Sequence, residues 1–195
     1  MERKPKILID VDDVIVDGVF LDALNKFKKT NYTQDQFKTY FIEEEVLEKS
    51  EIDNFHNFLL SYDYYKDCNL VDGVSDVLPT INKYMDVYFC SSCIVKGMES
   101  KSGIFFERKY NFLLRSFPYI DPNKYIFTTS KNNFSGIDFQ IDDLISNLQG
   151  NVNNKKILFT RHHNKEINDI SLKDMNIVRA NTWYEILSIL LFYQD

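Results

Sequence analysis

The sequence predicts an α/β protein of three layers: a mostly parallel sheet covered by helices on both faces, with a small helical cap inserted after strand 1. Three observations lead there. Short apolar runs that read as buried strands recur at 5–10 (PKILID), 85–90 (MDVYFC), 125–129 (YIFTT), 137–142 (IDFQID), 155–160 (KKILFT) and 176–180 (NIVRA). Stretches with apolar residues at helical spacing separate the first three runs and follow the last, and strands alternating with helices build parallel sheets. The helical stretch after the first run is too long for a simple crossover. The expected division is therefore one domain with its core in 1–17 and 73–195 and an inserted cap in 18–72.

Taken in order, PKILID is a short apolar run with β-branched character, ended by polar residues. From 18 to 62 the spacing turns helical: Phe20, Leu24 and Phe27 fall at i, i+4 and i+7, and Ile52, Phe55 and Leu59 at i, i+3 and i+7. The charged piece IEEEVLEKSE between them reads as a solvated helix face. Gly73 opens a helix running to about Tyr84. A further amphipathic helix over 102–117 carries Phe106, Tyr110, Leu113 and Phe117, and Pro118 stops it. The last helix holds Trp183, Ile186, Leu187 and Leu190.

Composition narrows the functional classes. A chain of 195 residues with 44% hydrophobic and 27% charged residues has the make-up of a globular domain. Its net charge of −6 argues against a nucleic-acid polymer as partner, which needs a basic surface. The apolar part of the N-terminal MERKPKILI is too short for a signal peptide, and ILSILLF is far below the ~20 residues that cross a bilayer. Three cysteines, an odd number, suit a reducing compartment, so a cytoplasmic location is expected.

In open α/β sheets, ligands bind at the carboxyl ends of the strands. Those ends carry Asp10 with Asp12 two residues on, Ser91 and Ser92, Lys131 after the 125–129 strand, and the Asp142–Asp143 pair. Acids from two strands meeting at one edge suggest a hard divalent cation, and Mg²⁺ suits a few carboxylates plus water and phosphate oxygens. A cation beside a lysine and a hydroxyl is a receptor for phosphate. One carboxylate in line could act as nucleophile, and a second could protonate the leaving oxygen and later activate water.

The motifs ILIDVDDV, VYFCSS, Lys131 and DFQIDD, in this order, resemble the four motifs of the haloacid-dehalogenase superfamily of phosphotransferases. Within it, Val14, the cap insert, DYYKDCNLVDG, KNNFSGIDFQIDD, NLQG, KKILFT and HHN resemble the 5′(3′)-deoxyribonucleotidases, from about residue 5 to Trp183. The resemblance implies a Rossmann-like core and Mg²⁺-dependent hydrolysis of nucleoside monophosphates through an aspartyl-phosphate. It makes Asp10 the nucleophile and Asp12 the general acid/base. Asp10, the Asp12 carbonyl and one of Asp142 or Asp143 would hold Mg²⁺. Ser91 and Lys131 would grip the phosphoryl group with Ser92 nearby, and Tyr64 and Tyr65 would lie near the nucleobase. Four features depart: Asp13 stands where a glycine is usual, Gly18 where some members carry an aromatic, the segment from Lys131 to Asp142 is one residue longer than the pattern, and TTSK lacks the arginine some relatives carry before the lysine.

Expected partners are thus a small-molecule nucleoside monophosphate, with no membrane, and a homodimer as the one macromolecular association left open. Two rival readings remain, a phosphatase for a sugar phosphate or other small phosphomonoester, and a non-catalytic phosphate-binding regulator. The CSSC stretch is a poor redox motif, because Cys90 belongs to an apolar strand instead of an exposed helix N-terminus. It is also a poor zinc site, since His162 and His163 are adjacent and not three to five apart.

Overall fold

The computed structural model describes residues 3–132, 134–150 and 154–193. Six strands form one sheet: β1 (Lys6–Ile9), β2 (Asp86–Ser91), β3 (Tyr125–Phe127), β4 (Phe139–Asp142), β5 (Lys155–Phe159) and β6 (Ile177–Ala180), in the order β3-β2-β1-β4-β5-β6. Every pairing is parallel. Successive strand side chains point to opposite faces. Ile157 and Phe159 accordingly join the large apolar cluster, while Leu158 joins a smaller one with Leu148, Leu172 and Ile177. A sheet buried on both faces in this way is the middle of three layers.

The longer helices lie where the spacing places them, with two differences, and two short ones after β4 and β5 are additional. After β1 come α1 (Val19–Lys28), α2 (Glu43–Val46) and α3 (Lys49–Ser61), then α4 (Val74–Tyr84) and, after β2, α5 (Gly103–Ser116). Short helices α6 (Ile145–Leu148) and α7 (Asp169–Asp174) and the final α8 (Trp183–Phe192) complete the chain. The charged 42–51 piece is not one helix. It breaks at Leu47–Glu48, where the Glu48 side chain caps α3 and Glu51 reaches back to the Glu48 N–H. Glu45 meanwhile is drawn to the Lys38 and Thr39 amides.

The second difference lies in α5. Its buried face is Phe105, Lys109, Phe112 and Leu113, while Tyr110 is exposed and Phe106 only half-buried. The apolar spacing 106-110-113-117 holds at Leu113 and Phe117, both buried, but the buried face is turned toward Phe105 and Phe112 and carries Lys109 to the sheet edge.

The strand order changes direction at β1, which has β2 on one side and β4 on the other. Ile9 pairs with Ile141 and with Phe89, so Asp10 and Asp142, one residue on, and Ser91, two residues on at the end of β2, emerge along one edge. That edge beside the switch point is where the acids gather.

Candidate active site

The loop after β1 is held by its backbone. The Asp10 N–H donates to Ile141 O, Ile15 and Val16 N–H groups donate to Val11 O, and the buried Trp183 indole donates to Val14 O at 2.9 Å. Asp13 takes the left-handed conformation (φ 57°), the geometry for which glycine is the usual residue. Aspartate tolerates it because its short side chain bonds locally, and here Asp13 Oδ1 accepts the Gly18 N–H at 3.1 Å. Arg161, just beyond β5, braces the same loop through the Asp13 carbonyl and Asp17. Burial raises the Asp13 carboxyl pKa, with Arg161 opposing. Gly18 is itself left-handed, and a Cβ there would stand 3.1 Å from the Gln34 amide nitrogen. Gln34 thus fills the space beside Gly18, the position where the resemblance implies an aromatic in some members.

Asp10 and Lys131 form the centre. Lys131 Nζ lies 2.6 Å from Asp10 Oδ1 and 3.2 Å from Asp142 Oδ2, and all three residues are buried. Asp10 Oδ1 also accepts the Val11 N–H at 2.7 Å, while Oδ2 accepts nothing among the described residues. Burial pushes the Asp10 carboxyl up to about 7, with Lys131 pulling the other way. Burial draws Lys131 down, but Asp10 and Asp142 outweigh it and hold the ammonium above its ordinary pKa. Lys131 has three N–H donors and spends two of them here, leaving one for a phosphoryl oxygen. Its loop is anchored from below. The buried Gln140 amide donates to the Lys131 and Asn147 carbonyls, and Asn154 donates to Gln140 Oε1.

The two acids ending β4 have different surroundings. Asp142 Oδ1 accepts from Leu144 N–H and Asn147 Nδ2, both at 2.9 Å, and its Oδ2 faces Lys131. Among the described residues both oxygens of Asp143 are buried without a hydrogen-bond partner, although His163 Nε2 lies 3.4 Å from Oδ2. Burial, then the charges of Asp142 and Asp10, raise the Asp143 pKa well above the carboxylate range. A buried carboxylate with no partner is costly unless a cation joins it. Asp10, Asp142 and Asp143 each offer an oxygen within 4.8 Å of the others. An all-oxygen donor set of this kind fits a hard metal ion. The HHN turn supports Asp143 from behind: Asn164 donates to the Asp143 and Phe159 carbonyls, and His163 Nε2 lies 3.2 Å from Asp143 O. Burial lowers the His163 pKa to about 4.

Asp12 and the serines meet a residue the sequence reading passed over. Lys109 Nζ, on α5 and only 2% exposed, donates to Asp12 Oδ2 (2.5 Å), Ser91 Oγ (2.6 Å) and Ser92 O (2.7 Å). The available signal was a lysine four residues from Phe105 and from Leu113 on one helical stripe. Ser92 Oγ itself only accepts the Ile94 N–H at 3.3 Å.

Tyr64 and Tyr65, expected beside a base, are 6% and 2% exposed. Tyr64 packs among Phe20, Tyr65 and Phe105, and the Tyr65 hydroxyl donates to Asp12 Oδ1. The aromatic surface beside the acids comes instead from the 37–42 segment. Tyr40 stays 40% exposed with its ring against His163, and burial with the charges of Asp143, Asp10, Asp12 and Asp13 raises its pKa well above that of an ordinary phenol. Cys90 and Cys93 are buried free thiols pushed up to about 12 and about 11 by burial.

A parallel six-stranded sheet of this kind is the fold of solved haloacid dehalogenase-like hydrolases. A hydrolase of that type from Xanthomonas campestris superposes with a TM-score of 0.57 at 9% identity, over 97% of this chain and 96% of the other. A Burkholderia xenovorans LB400 protein described as haloacid dehalogenase-like gives 0.60 at 12% identity, over 96% of each chain. The family model for the 5′ nucleotidase, deoxy (pyrimidine), cytosolic type C proteins matches residues 4–194, and the chain belongs to that family, which makes it a phosphatase of the nucleotidase class. Among curated proteins it is similar to the 5′(3′)-deoxyribonucleotidase of Clostridium acetobutylicum, 27% identical over 186 residues covering 94% of this chain and 93% of that one. The Bacillus subtilis 5′(3′)-deoxyribonucleotidase is 28% identical over 127 residues, 65% of each. Among the described residues, no helix is long and apolar enough to cross a membrane.

Proposed function

We propose that the protein is a Mg²⁺-dependent 5′(3′)-deoxyribonucleotidase that hydrolyses nucleoside monophosphates through a phosphoryl group carried on Asp10. The observation that carries this reading is the pairing of Asp10, whose Oδ2 is unengaged among the described residues, and Lys131 beside an Asp143 carboxylate that accepts no hydrogen bond among them and has only the neutral His163 ring near it. Asp10, the Asp12 carbonyl and Asp143 would hold Mg²⁺, with Asp142 committed to orienting Lys131 and the 144–147 turn. When bound, the metal ion neutralises phosphoryl charge and offsets the buried acids.

Asp10 Oδ2 attacks phosphorus as the ester P–O bond breaks, and Asp12 gives its proton to the departing sugar oxygen. Asp12 then takes a proton from water, whose oxygen attacks phosphorus, and the P–O bond to Asp10 breaks with its electron pair returning to the carboxylate. The spare N–H of Lys131 and the Ser91 and Ser92 region hold the phosphoryl oxygens. The exposed rings of Tyr40 and Phe41 offer a face to a base. The three free cysteines are in keeping with a cytoplasmic setting.

Phosphate release measured across deoxy- and ribonucleoside 5′- and 3′-monophosphates, with and without Mg²⁺, tests the reading. Activity should require Mg²⁺, prefer a deoxynucleotide over p-nitrophenyl phosphate, and vanish in Asp10→Asn. Full Mg²⁺-dependent turnover by Asp10→Asn would sink the mechanism. A sugar phosphate preferred over every nucleotide would sink the substrate assignment.

A further inference from the structure

We infer that Tyr65 is a positioning residue for Asp12, acting through its hydroxyl, and that α5 is the element that holds the pair in place. The inference rests on the reading of Asp12 as the acid/base of an Asp10 phosphoenzyme.

Asp12 lies at the mouth of the site with 29% of its side chain exposed, so packing alone does not fix it. Its two oxygens are each held by a different donor, Oδ1 by the Tyr65 hydroxyl and Oδ2 by Lys109 Nζ. Two donors on two oxygens fix the plane of the carboxylate as well as its position. Each oxygen keeps a lone pair, because a carboxylate oxygen accepts twice. The proton-accepting capacity of Asp12 thus survives the clamp, and only its freedom to rotate is removed.

Lys109 acts on Asp12 in the same way and not on phosphate. Its three N–H groups are all spent, on Asp12, Ser91 and Ser92 O, whereas Lys131 keeps one free. The donor count separates the two buried lysines into one that holds protein groups and one that can reach a phosphoryl oxygen.

Tyr65 in turn is fixed by α5 on several sides. Its ring stacks on Phe112 with centroids 5.5 Å apart, and Arg115 Nη2 donates to its carbonyl at 3.0 Å. Arg108 donates to the carbonyls of Leu59, Leu60 and Tyr62, tying down the chain that leads into Tyr65. Residues 108, 112 and 115 recur at i, i+4 and i+7 and so line one side of the helix. Next to Arg108, Lys109 completes the clamp. A phenylalanine at 65 would keep every one of these packing contacts and lose only the hydroxyl.

The two chemical steps respond differently to that loss. p-Nitrophenolate leaves without needing a proton, so transfer of phosphate from p-nitrophenyl phosphate to Asp10 proceeds without Asp12. Hydrolysis of the phosphoenzyme needs Asp12 to take a proton from water as the new P–O bond forms and the bond to Asp10 breaks. Disordering a proton-transfer group weakens a contribution of about 10²–10⁴ in rate, and loss of one of two donors should remove about tenfold.

The experiment is Tyr65→Phe on the full chain with Mg²⁺, under stopped flow with p-nitrophenyl phosphate and in steady state with a deoxynucleoside 5′-monophosphate. The expected result is a burst of p-nitrophenolate approaching one equivalent per site, then turnover reduced about tenfold, consistent with the weakened proton transfer. KM for p-nitrophenyl phosphate should fall in proportion to kcat, leaving kcat/KM unchanged. For the nucleotide, whose alkoxide must be protonated, kcat/KM should fall as well. Wild-type kcat in Tyr65→Phe overturns the inference. So does a lower kcat/KM for p-nitrophenyl phosphate without a burst, which is the signature of a general structural defect. Asp10→Asn, run alongside, should give neither burst nor turnover; a burst from that variant would mean that the phosphoenzyme reading itself has failed, independently of Tyr65.

Discussion

Lys131 Nζ stands 2.6 Å from Asp10 Oδ1, and this contact is the main counterweight to three acids buried at one sheet edge. Removing one partner of a buried ion pair costs about 3–5 kcal/mol, because the other charge is left uncompensated. Lys131→Met should lower the stability of the metal-free protein by an amount in that range.

The pH dependence of that loss has a definite sign. Asp10 is raised from 3.8 to about 7 in the fold, and Asp143 is raised too. Between the unfolded and folded pKa values the native state binds more protons than the unfolded one, so stability falls as pH rises from about 4 to about 7. Without Lys131 the acids rise further, and the fall should be steeper. Thermal unfolding in EDTA at pH 5 and pH 8 measures it; a Lys131→Met midpoint less sensitive to pH than wild type would contradict the account.

Asp143→Asn and Asp142→Asn should behave in opposite ways. Among the described residues the buried Asp143 carboxylate accepts no hydrogen bond and faces a neutral His163, so replacing it by a neutral amide should stabilise the metal-free protein while abolishing Mg²⁺ binding. Asp142 accepts two hydrogen bonds and faces Lys131, so its amide variant should destabilise the 144–147 turn and weaken Mg²⁺ binding less. Calorimetric Mg²⁺ titration and melting curves in EDTA, on both variants, read out the contrast.

The sheet edge was legible because its parts sit at strand ends, and a strand end is marked locally by an apolar run stopping at a polar residue. Asp10, Ser91, Lys131 and Asp142–Asp143 were all found that way, and the structure brings them to one edge. Lys109 was not, because its role depends on which stripe of α5 faces the sheet. Two apolar stripes compete there, and only tertiary packing chooses between them. Tyr64 and Tyr65 were recognised as aromatic residues near the site, but sequence does not tell an open ring from a packed one. The hydroxyl on Asp12 is a long-range contact, spanning 53 residues, and left no local trace.

Asp13 shows how a departure from a pattern can be absorbed. A non-glycine residue in the left-handed region costs about 1–2 kcal/mol, and the bond from the Gly18 N–H to its carboxylate returns about the same. Asp13→Gly loses both and should lie within about 1 kcal/mol of wild type by these magnitudes. Asp13→Ala keeps the strain and loses the bond, and should be less stable by about 2 kcal/mol. Urea denaturation of both variants beside the wild type checks this: Asp13→Ala as stable as the wild type would show that the Gly18 contact contributes nothing, and Asp13→Ala as stable as Asp13→Gly would show that the left-handed strain does not.

The cysteines give the last prediction. Burial raises Cys90 to about 12, and Cys93 and Cys68 to about 11. The thiolate is the reactive form, so at pH 8 each of the three should carry far less of it than a free cysteine, whose pKa is about 8.5. Alkylation of the folded protein by iodoacetamide at pH 8 should therefore be slow at all three positions. Cys68, the only one of the three that is not fully buried, should react first. In urea all three should react at the rate of an unstructured thiol. A fast-reacting Cys90 or Cys93 in the folded state, or their oxidation to a disulfide by a mild oxidant without unfolding, would reinstate the CSSC stretch as redox chemistry. Its exclusion rests on Cys90 lying inside β2, 1% exposed, where a thiolate would be left in an apolar strand.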